Sequence, residues 1–143
     1  MIPFWAPQIA AHRRRSQMYR RLGPLAAAVG VAPPPPGGGL WSRSARLLHR
    51  VIHIRDALIG PLRGRLRLDA YQTGYDRGIQ EGLSEDEARV VAEATCVAAA
   101  LRSPPGAGVA DEAPPFTLDA DLDAEAAWLA RVSEAFRAAV EPR

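Results

Sequence analysis

The sequence predicts an all-α fold, a small bundle of about four main helices preceded by a basic N-terminal helix and a Pro/Gly linker. Apolar residues recur at helical spacing, "SEDE" forms a capping box from Ser84 and Glu87, and no segment alternates as a strand does. The length of 143 residues suits one core. We assign the basic segment and linker to 1–39 and the helical domain to 40–143, where we expect the compact part to begin.

The first elements follow from their breakers and caps. Residues 8–30 are compatible with a helix that a Gly-Pro pair interrupts, and "PPPPGGG" at 33–39 continues as an extended tether. Ser42 is the predicted cap of a helix over 43–59, because a second Gly-Pro pair follows it directly.

A further helix is predicted over 66–82, although three of its positions, four residues apart, are glycine: Gly74, Gly78 and Gly82. Each glycine costs about 1 kcal/mol relative to alanine in a helix. Such a smooth strip indicates a close crossing with another helix, since glycine lets two backbones approach.

The capping box begins a helix that runs to Arg102, where "SPP" ends it. Residues 103–118 are predicted to form a loop. Acidic residues at Asp119, Asp121 and Asp123 favour the start of a last helix that reaches about residue 139.

Charge is distributed unevenly along the chain. Residues 1–68 hold 12 arginines and one acid, a charge of +11, whereas residues 69–143 hold 6 arginines and 15 acids, a charge of −9. We expect the halves to neutralise each other between packed helices, and a basic surface for nucleic acid or anionic lipid is the alternative. All 18 basic residues are arginine, which is typical of a G+C-rich coding genome and weakens arguments from arginine counts.

The single cysteine excludes an internal disulfide and a cysteine-rich metal site, so we expect an intracellular protein. The start, "MIPFWAPQIAAHRRR", places its apolar stretch before its positive cluster, the reverse of a secretory signal. The apolar stretch is also too short to span a bilayer, and we expect no transmembrane segment in this chain.

Two charged residues fall on apolar helix faces. Arg55 lies in the middle of the broad face that we expect to meet the core, which holds Leu47, Leu48, Val51, Ile52, Ile54, Leu58 and Ile59. Glu125 lies in the centre of the apolar face of the last helix, whereas Glu93 and the other acids of the middle helices fall off those faces. Because a buried guanidinium requires a carboxylate, we predict a structural Arg55–Glu125 ion pair. The alternative is that either side chain reaches the rim and keeps its charge in water.

The opposite face of the same helix carries a candidate metal site. His49, His53 and Asp56 share a spacing that can present two imidazoles and a carboxylate to one ion. Arg46 and Arg50 on that face repel a cation, and no further ligand lies nearby, so we predict no metal. We expect a solvated face on which Asp56 neutralises His53 and Arg50.

No motif in the chain predicts catalysis. Cys96 shares a face with Arg89 and Glu93, so we expect it to be partly exposed, yet no base neighbours it. Phosphate loops, nucleophile elbows and paired inward carboxylates are absent from the sequence. We therefore predict a non-enzyme without a cofactor.

The segment "HRRRSQMYRR" is the candidate for binding an anionic surface. It holds five arginines and a tyrosine in ten residues, which suits lipid head groups or phosphate backbones. The candidate binding residues are Arg13, Arg14, Arg15, Arg20 and Arg21.

Four stretches carry a family resemblance: "YRRLGPLAAAVGVAPP", "RSARLLHRVIHIRDALIGPL", "GLSEDEARVVAEATCVAAALR" and "DAEAAWLARVSEAF". Over most of residues 19–137 the chain resembles the cytosolic C-terminal helical domain of an uncharacterised actinobacterial family of membrane proteins, described as transporters of unproven activity. Arg55, Asp56 and Glu125 occupy its motif positions. The resemblance implies that "MIPFWAPQIAA" corresponds to the end of a last transmembrane helix and "HRRR" to its positive-inside flank, which places the domain in the cytoplasm. Members of that family carry several membrane helices before this domain, of which only "MIPFWAPQIAA" has a counterpart here, so we expect either a truncated start or a free-standing domain. Because transport would reside in those helices, we do not predict it for this chain.

These observations together favour a non-enzymatic cytoplasmic interaction or regulatory module, peripheral to the inner face of the membrane. Its expected partner is a protein or the anionic membrane surface. The alternative is a nucleic-acid-binding regulatory protein that uses the basic N-terminal half.

Overall fold

The computed structural model describes residues 6–31, 43–103 and 113–141. Within these ranges the chain is all-α and contains no strand, which confirms the predicted fold class. The helices are α1 (Ala6–Arg21), α2 (Gly23–Ala28), α3 (Arg43–Ile59), α4 (Leu68–Gln80), α5 (Glu85–Arg102) and α6 (Leu122–Val140), with a 3₁₀ turn at Arg63–Arg65.

Local signals account for where these helices begin and end. The Ser84 hydroxyl accepts a hydrogen bond from the backbone N–H of Glu87 at 3.2 Å, which confirms the predicted start of α5. Asp121 caps α6 in the same way, accepting from Ala124 N at 2.9 Å. The bounds of α3 agree with the predicted 43–59, while its predicted cap, Ser42, lies outside the described residues.

The contact between α4 and α5 is close, as the glycine spacing predicted. A Cβ placed on Gly74 would lie 2.7 Å from the hydroxyl of Thr95 and 3.0 Å from the Cα of Ala92. Gly78 is equally tight against Ala88 Cα, at 3.0 Å. The third glycine has another role, because Gly82 ends α4 with a φ of +85°, which side-chain-bearing residues rarely adopt.

The core holds buried residues of α2 to α6, with Met18 and Tyr19 of α1 packed against it, and α5 contacts both α4 and α6. Leu22 and Leu25, at the α1–α2 junction, are fully buried in the core, and the hydroxyl of Ser133 on α6 accepts from Leu25 N at 3.1 Å. The expectation that the compact part begins after the linker is therefore wrong. The reason is tertiary: α2 is too short to show an apolar period, and only its docking on α6 reveals its core residues. The boundary predicted at 39/40 itself lies outside the described residues.

None of the helices in the described part of the chain combines the length and the apolar character needed to cross a membrane.

Candidate functional site

Only half of the apolar face of α3 contacts the core. Leu47, Val51, Ile54 and Leu58 are buried, but Leu48, Ile52 and Ile59 are 43%, 45% and 58% exposed. At about 100° per residue, these three lie within about 40° of one another and roughly a quarter-turn from the buried four. The expectation that the whole face meets the core is wrong, because α1, α2 and α6 cover only one side of α3. We call Leu48, Ile52 and Ile59 the α3 strip.

The C-terminal end of the α3 strip opens into a surface cavity of about 300 Å³. Ile59 lines one side of the cavity, Phe116 and Leu118 of the irregular segment 113–119 line the other, and Arg55 and Arg63 also line it. Leu118 is itself 67% exposed, the largest value among the large apolar residues that the structure describes. An apolar surface therefore continues from α3 onto this segment, which is unusual unless it binds something.

Arg55 projects from the side of α3 that carries the strip, but its guanidinium turns inward. Its Nε donates to Glu125 Oε1 on α6, and its Nη2 donates to the carbonyl oxygen of Thr117 at 2.6 Å. The second Glu125 oxygen accepts from Asp119 N at 2.7 Å. The structure thus brings the two predicted residues together as a buried ion pair, which also fastens segment 113–119 to both helices.

A second buried carboxyl was missed by the sequence reasoning. Glu93 on α5 is 1% exposed, although the helical spacing predicts a position off the apolar faces. Its Oε2 accepts from Trp128 Nε1 at 2.7 Å and from Thr117 N at 3.4 Å, while its Oε1 has no hydrogen-bond partner. Helical-wheel reasoning fails here because α5 is enclosed on more than one side. The sequence signal that could have revealed the buried Glu93 carboxyl was Trp128, since a buried indole N–H requires a hydrogen-bond acceptor.

Burial raises the pKa of the Glu93 carboxyl to about 7, and the Trp128 hydrogen bond and the nearby Arg55 oppose that rise. The carboxyl therefore changes its charge near neutral pH. We call Arg55, Glu93, Glu125 and Trp128 the polar cluster. Its two carboxyls are buried, Trp128 is half-buried and Arg55 lines the cavity, and its contacts to Thr117 hold segment 113–119 in place.

Cys96 is fully buried, so its predicted partial exposure is wrong. Its thiol donates to the carbonyl oxygen of Arg67 at 3.4 Å. Burial raises the pKa of this thiol to about 11, which keeps it protonated and unreactive at neutral pH. Helical-wheel reasoning fails for Cys96, as it does for Glu93, because α5 is enclosed on more than one side.

The rings of His49 and His53 on α3 are in contact, with centroids 4.2 Å apart and planes tilted by 51°. Burial, with His53 and Arg50 close by, lowers the pKa of His49. Arg50 is engaged elsewhere: it donates to the carbonyl oxygen of Tyr19 at 2.6 Å and lies 3.7 Å over that ring. The predicted neutralisation of Arg50 by Asp56 is therefore replaced by a contact with α1. The described residues contain no group of three side chains suited to a metal ion.

The five candidate arginines of α1 divide into two sets. Arg15 pairs with Asp123 at 3.5 Å, and Arg21 pairs with Glu134 at 2.5 Å, both on α6. These pairs join the basic half of the chain to the acidic half, as the charge asymmetry predicted. Arg13, Arg14 and Arg20 are exposed.

Comparison with known proteins gives a family but no characterised relative. Neither a curated protein nor a solved structure matches the chain significantly. The model of the family DUF6545, a family of unknown function, matches residues 10–138. This range includes every helix that carries the polar cluster and the α3 strip. On that match, the chain belongs to the DUF6545 family.

Proposed function

We propose that this domain is a non-enzymatic interaction module that binds a protein through the α3 strip. The observation that carries the proposal is the exposure of Leu48, Ile52 and Ile59 beside the buried apolar face of the same helix. Complete burial of such a side chain is worth about 1.5–3 kcal/mol, and because these three are already about half buried, covering them is worth about half of that each, before the costs of association. A surface of this kind typically marks a binding site.

The polar groups support a structural rather than a catalytic role. Glu93 and Glu125 are buried and held by Trp128, Arg55 and backbone N–H groups. The Cys96 thiol is buried and hydrogen-bonded to a carbonyl oxygen. Because Glu93, Glu125 and Cys96 are at most 5% exposed, we propose that the chain carries out no reaction of its own.

The proposed location is the cytoplasm, beside the inner face of the membrane. It rests on the resemblance of "HRRR" to a positive-inside flank. Fractionation of cells expressing the chain tests it, and recovery outside the cytoplasm would refute it.

Photo-crosslinking tests the interaction role. We would place p-benzoylphenylalanine at Ile52, in the strip, and as a control at Gln72, which is exposed on α4. We expect discrete protein adducts from position 52 in the organism's own cells, and their reduction by about 10-fold when Ile59→Ser is added. Equal yields from both positions, or adducts insensitive to Ile59→Ser, would refute the proposal.

The exposed Arg13, Arg14 and Arg20 favour a second candidate, binding of nucleic acid. If they neutralise phosphates, affinity for duplex DNA should fall steeply between about 50 and 200 mM salt, and Arg13→Ala should reduce the slope by about one. A flat salt response excludes this candidate. Binding to vesicles with anionic lipid, unaffected by Ile52→Glu, would instead indicate a membrane surface as the target.

A further inference from the structure

The α3 strip has the spacing of one coiled-coil seam. Leu48, Ile52, Arg55 and Ile59 are separated by four, three and four residues, which places leucine at one seam position and β-branched isoleucine at the other. Arg55 leaves the seam because it pairs with Glu125. The exposed residues of the seam therefore form a surface on which another helix can pack.

The two ends of the strip differ in shape. Leu48 at the N-terminal end is a protruding side chain that is 43% exposed, whereas Ile59 at the other end borders the cavity of about 300 Å³ below Leu118. Eleven residues separate Leu48 from Ile59, a distance of about 16 Å along the helix axis. When two copies of α3 lie antiparallel around a two-fold axis near Ile52, each Leu48 meets the cavity of the other copy. A parallel pair would place Leu48 against Leu48 and leave both cavities empty.

The polar groups beside the strip are compatible with the antiparallel pair. Asp56 and His49 lie on the same flank of α3, about 80° and 100° from Leu48 around the helix. Reversing the direction of a second α3 brings Asp56 opposite His49 of the second copy, whose lowered pKa leaves its imidazole uncharged at neutral pH. Arg46 and Arg50 lie beyond about 150° on the far side, and Arg50 is stacked on Tyr19, so these two arginines of one copy do not face those of the other.

We infer that a second copy of this chain covers the α3 strip, in an antiparallel two-fold dimer that inserts Leu48 of each copy between Ile59 and Leu118 of the other. This inference rests on the proposed interaction role and names its partner. Two-fold homodimers are the commonest closed assemblies, and they require one surface that carries both a projection and its matching recess. The α3 strip with its cavity is such a surface.

Sedimentation velocity of the full chain over a range of concentrations tests the dimer. Ile52→Glu places a charge at the two-fold axis and should weaken dimerisation at least about 30-fold, as for a central apolar contact. Ile79→Glu is the matched control, because Ile79 is 42% exposed on α4, away from the strip, and should leave the dimer unchanged. A chain that sediments as a monomer at every concentration, or equal effects of the two substitutions, overturns the inference.

Disulfide trapping tests the orientation. A mixture of Leu48→Cys and Ile59→Cys chains should form a disulfide between the two variants, while each variant alone should remain uncrosslinked. The native Cys96 does not interfere because it is fully buried. Same-position disulfides would overturn the antiparallel arrangement. A monomeric chain that still gives adducts with another protein from position 52 would overturn the second copy as partner and retain the proposed function.

Discussion

Glu93 should make the stability of the fold depend on pH in a direction opposite to that of most carboxylates. Its pKa is raised from 4.5 to about 7 in the folded protein, because burial disfavours the charged form. The folded state therefore binds more protons than the unfolded state between these values, and stability falls as pH rises through them. The penalty is absent below the unfolded pKa and complete above the folded one.

The magnitude follows from the two pKa values. At 1.36 kcal/mol per pH unit, the difference between 4.5 and about 7 corresponds to about 3 kcal/mol above neutral pH. Glu93→Gln removes the titration but keeps the shape and an oxygen that accepts from Trp128 Nε1 and Thr117 N. We expect the variant to gain about 3 kcal/mol relative to the native chain when pH changes from 4.5 to 8.

Urea unfolding followed by circular dichroism at several pH values measures this gain. The observable is the difference in unfolding free energy between native chain and variant, so titrations shared by both chains cancel. The matched control is Glu85→Gln, an exposed glutamate on the same helix. If the difference for Glu93→Gln stays constant over this range, folding does not raise the pKa of the Glu93 carboxyl, and the account of the polar cluster fails.

The remaining predictions concern packing and access. Arg55→Ala and Glu125→Ala should each cost about 3–5 kcal/mol of unfolding free energy, because each leaves a buried charge without its partner. A double-mutant cycle checks this, and additive losses below about 1 kcal/mol would contradict a buried pair. Gly74→Ala should lower the thermal midpoint despite the higher helix propensity of alanine, because its Cβ would lie 2.7 Å from Thr95 Oγ1 and 3.0 Å from a backbone atom; an increased midpoint would show that α4 moves away freely. Cys96 should react with a thiol reagent only in denaturant, and rapid labelling of the folded chain would contradict its burial.

Much of the fold was predictable because it depends on short-range signals. Caps, glycines and Gly-Pro pairs act within one helical turn, so the bounds of α3 and the start of α5 followed from the sequence. The partners of Arg55 were predictable in part, since few carboxylates lay on an apolar face. Glu93, Cys96 and the exposed half of α3 were not, because a helical wheel shows only which residues share a side. How many sides are covered depends on tertiary packing.

The position of the polar cluster connects the interior to the α3 strip. Segment 113–119 has no helical hydrogen bonds of its own, and Thr117 instead bonds through its carbonyl oxygen to Arg55 and through its N–H to Glu93. These bonds hold Phe116 and Leu118 against the end of α3, where they form one wall of the cavity. An apolar replacement of the cluster could keep the core packed, but it would leave this segment without hydrogen-bond partners. The buried charges therefore support the shape of the surface. The double variant Arg55→Met with Glu125→Leu should preserve the helices and still weaken binding of a partner at Ile59 and Leu118.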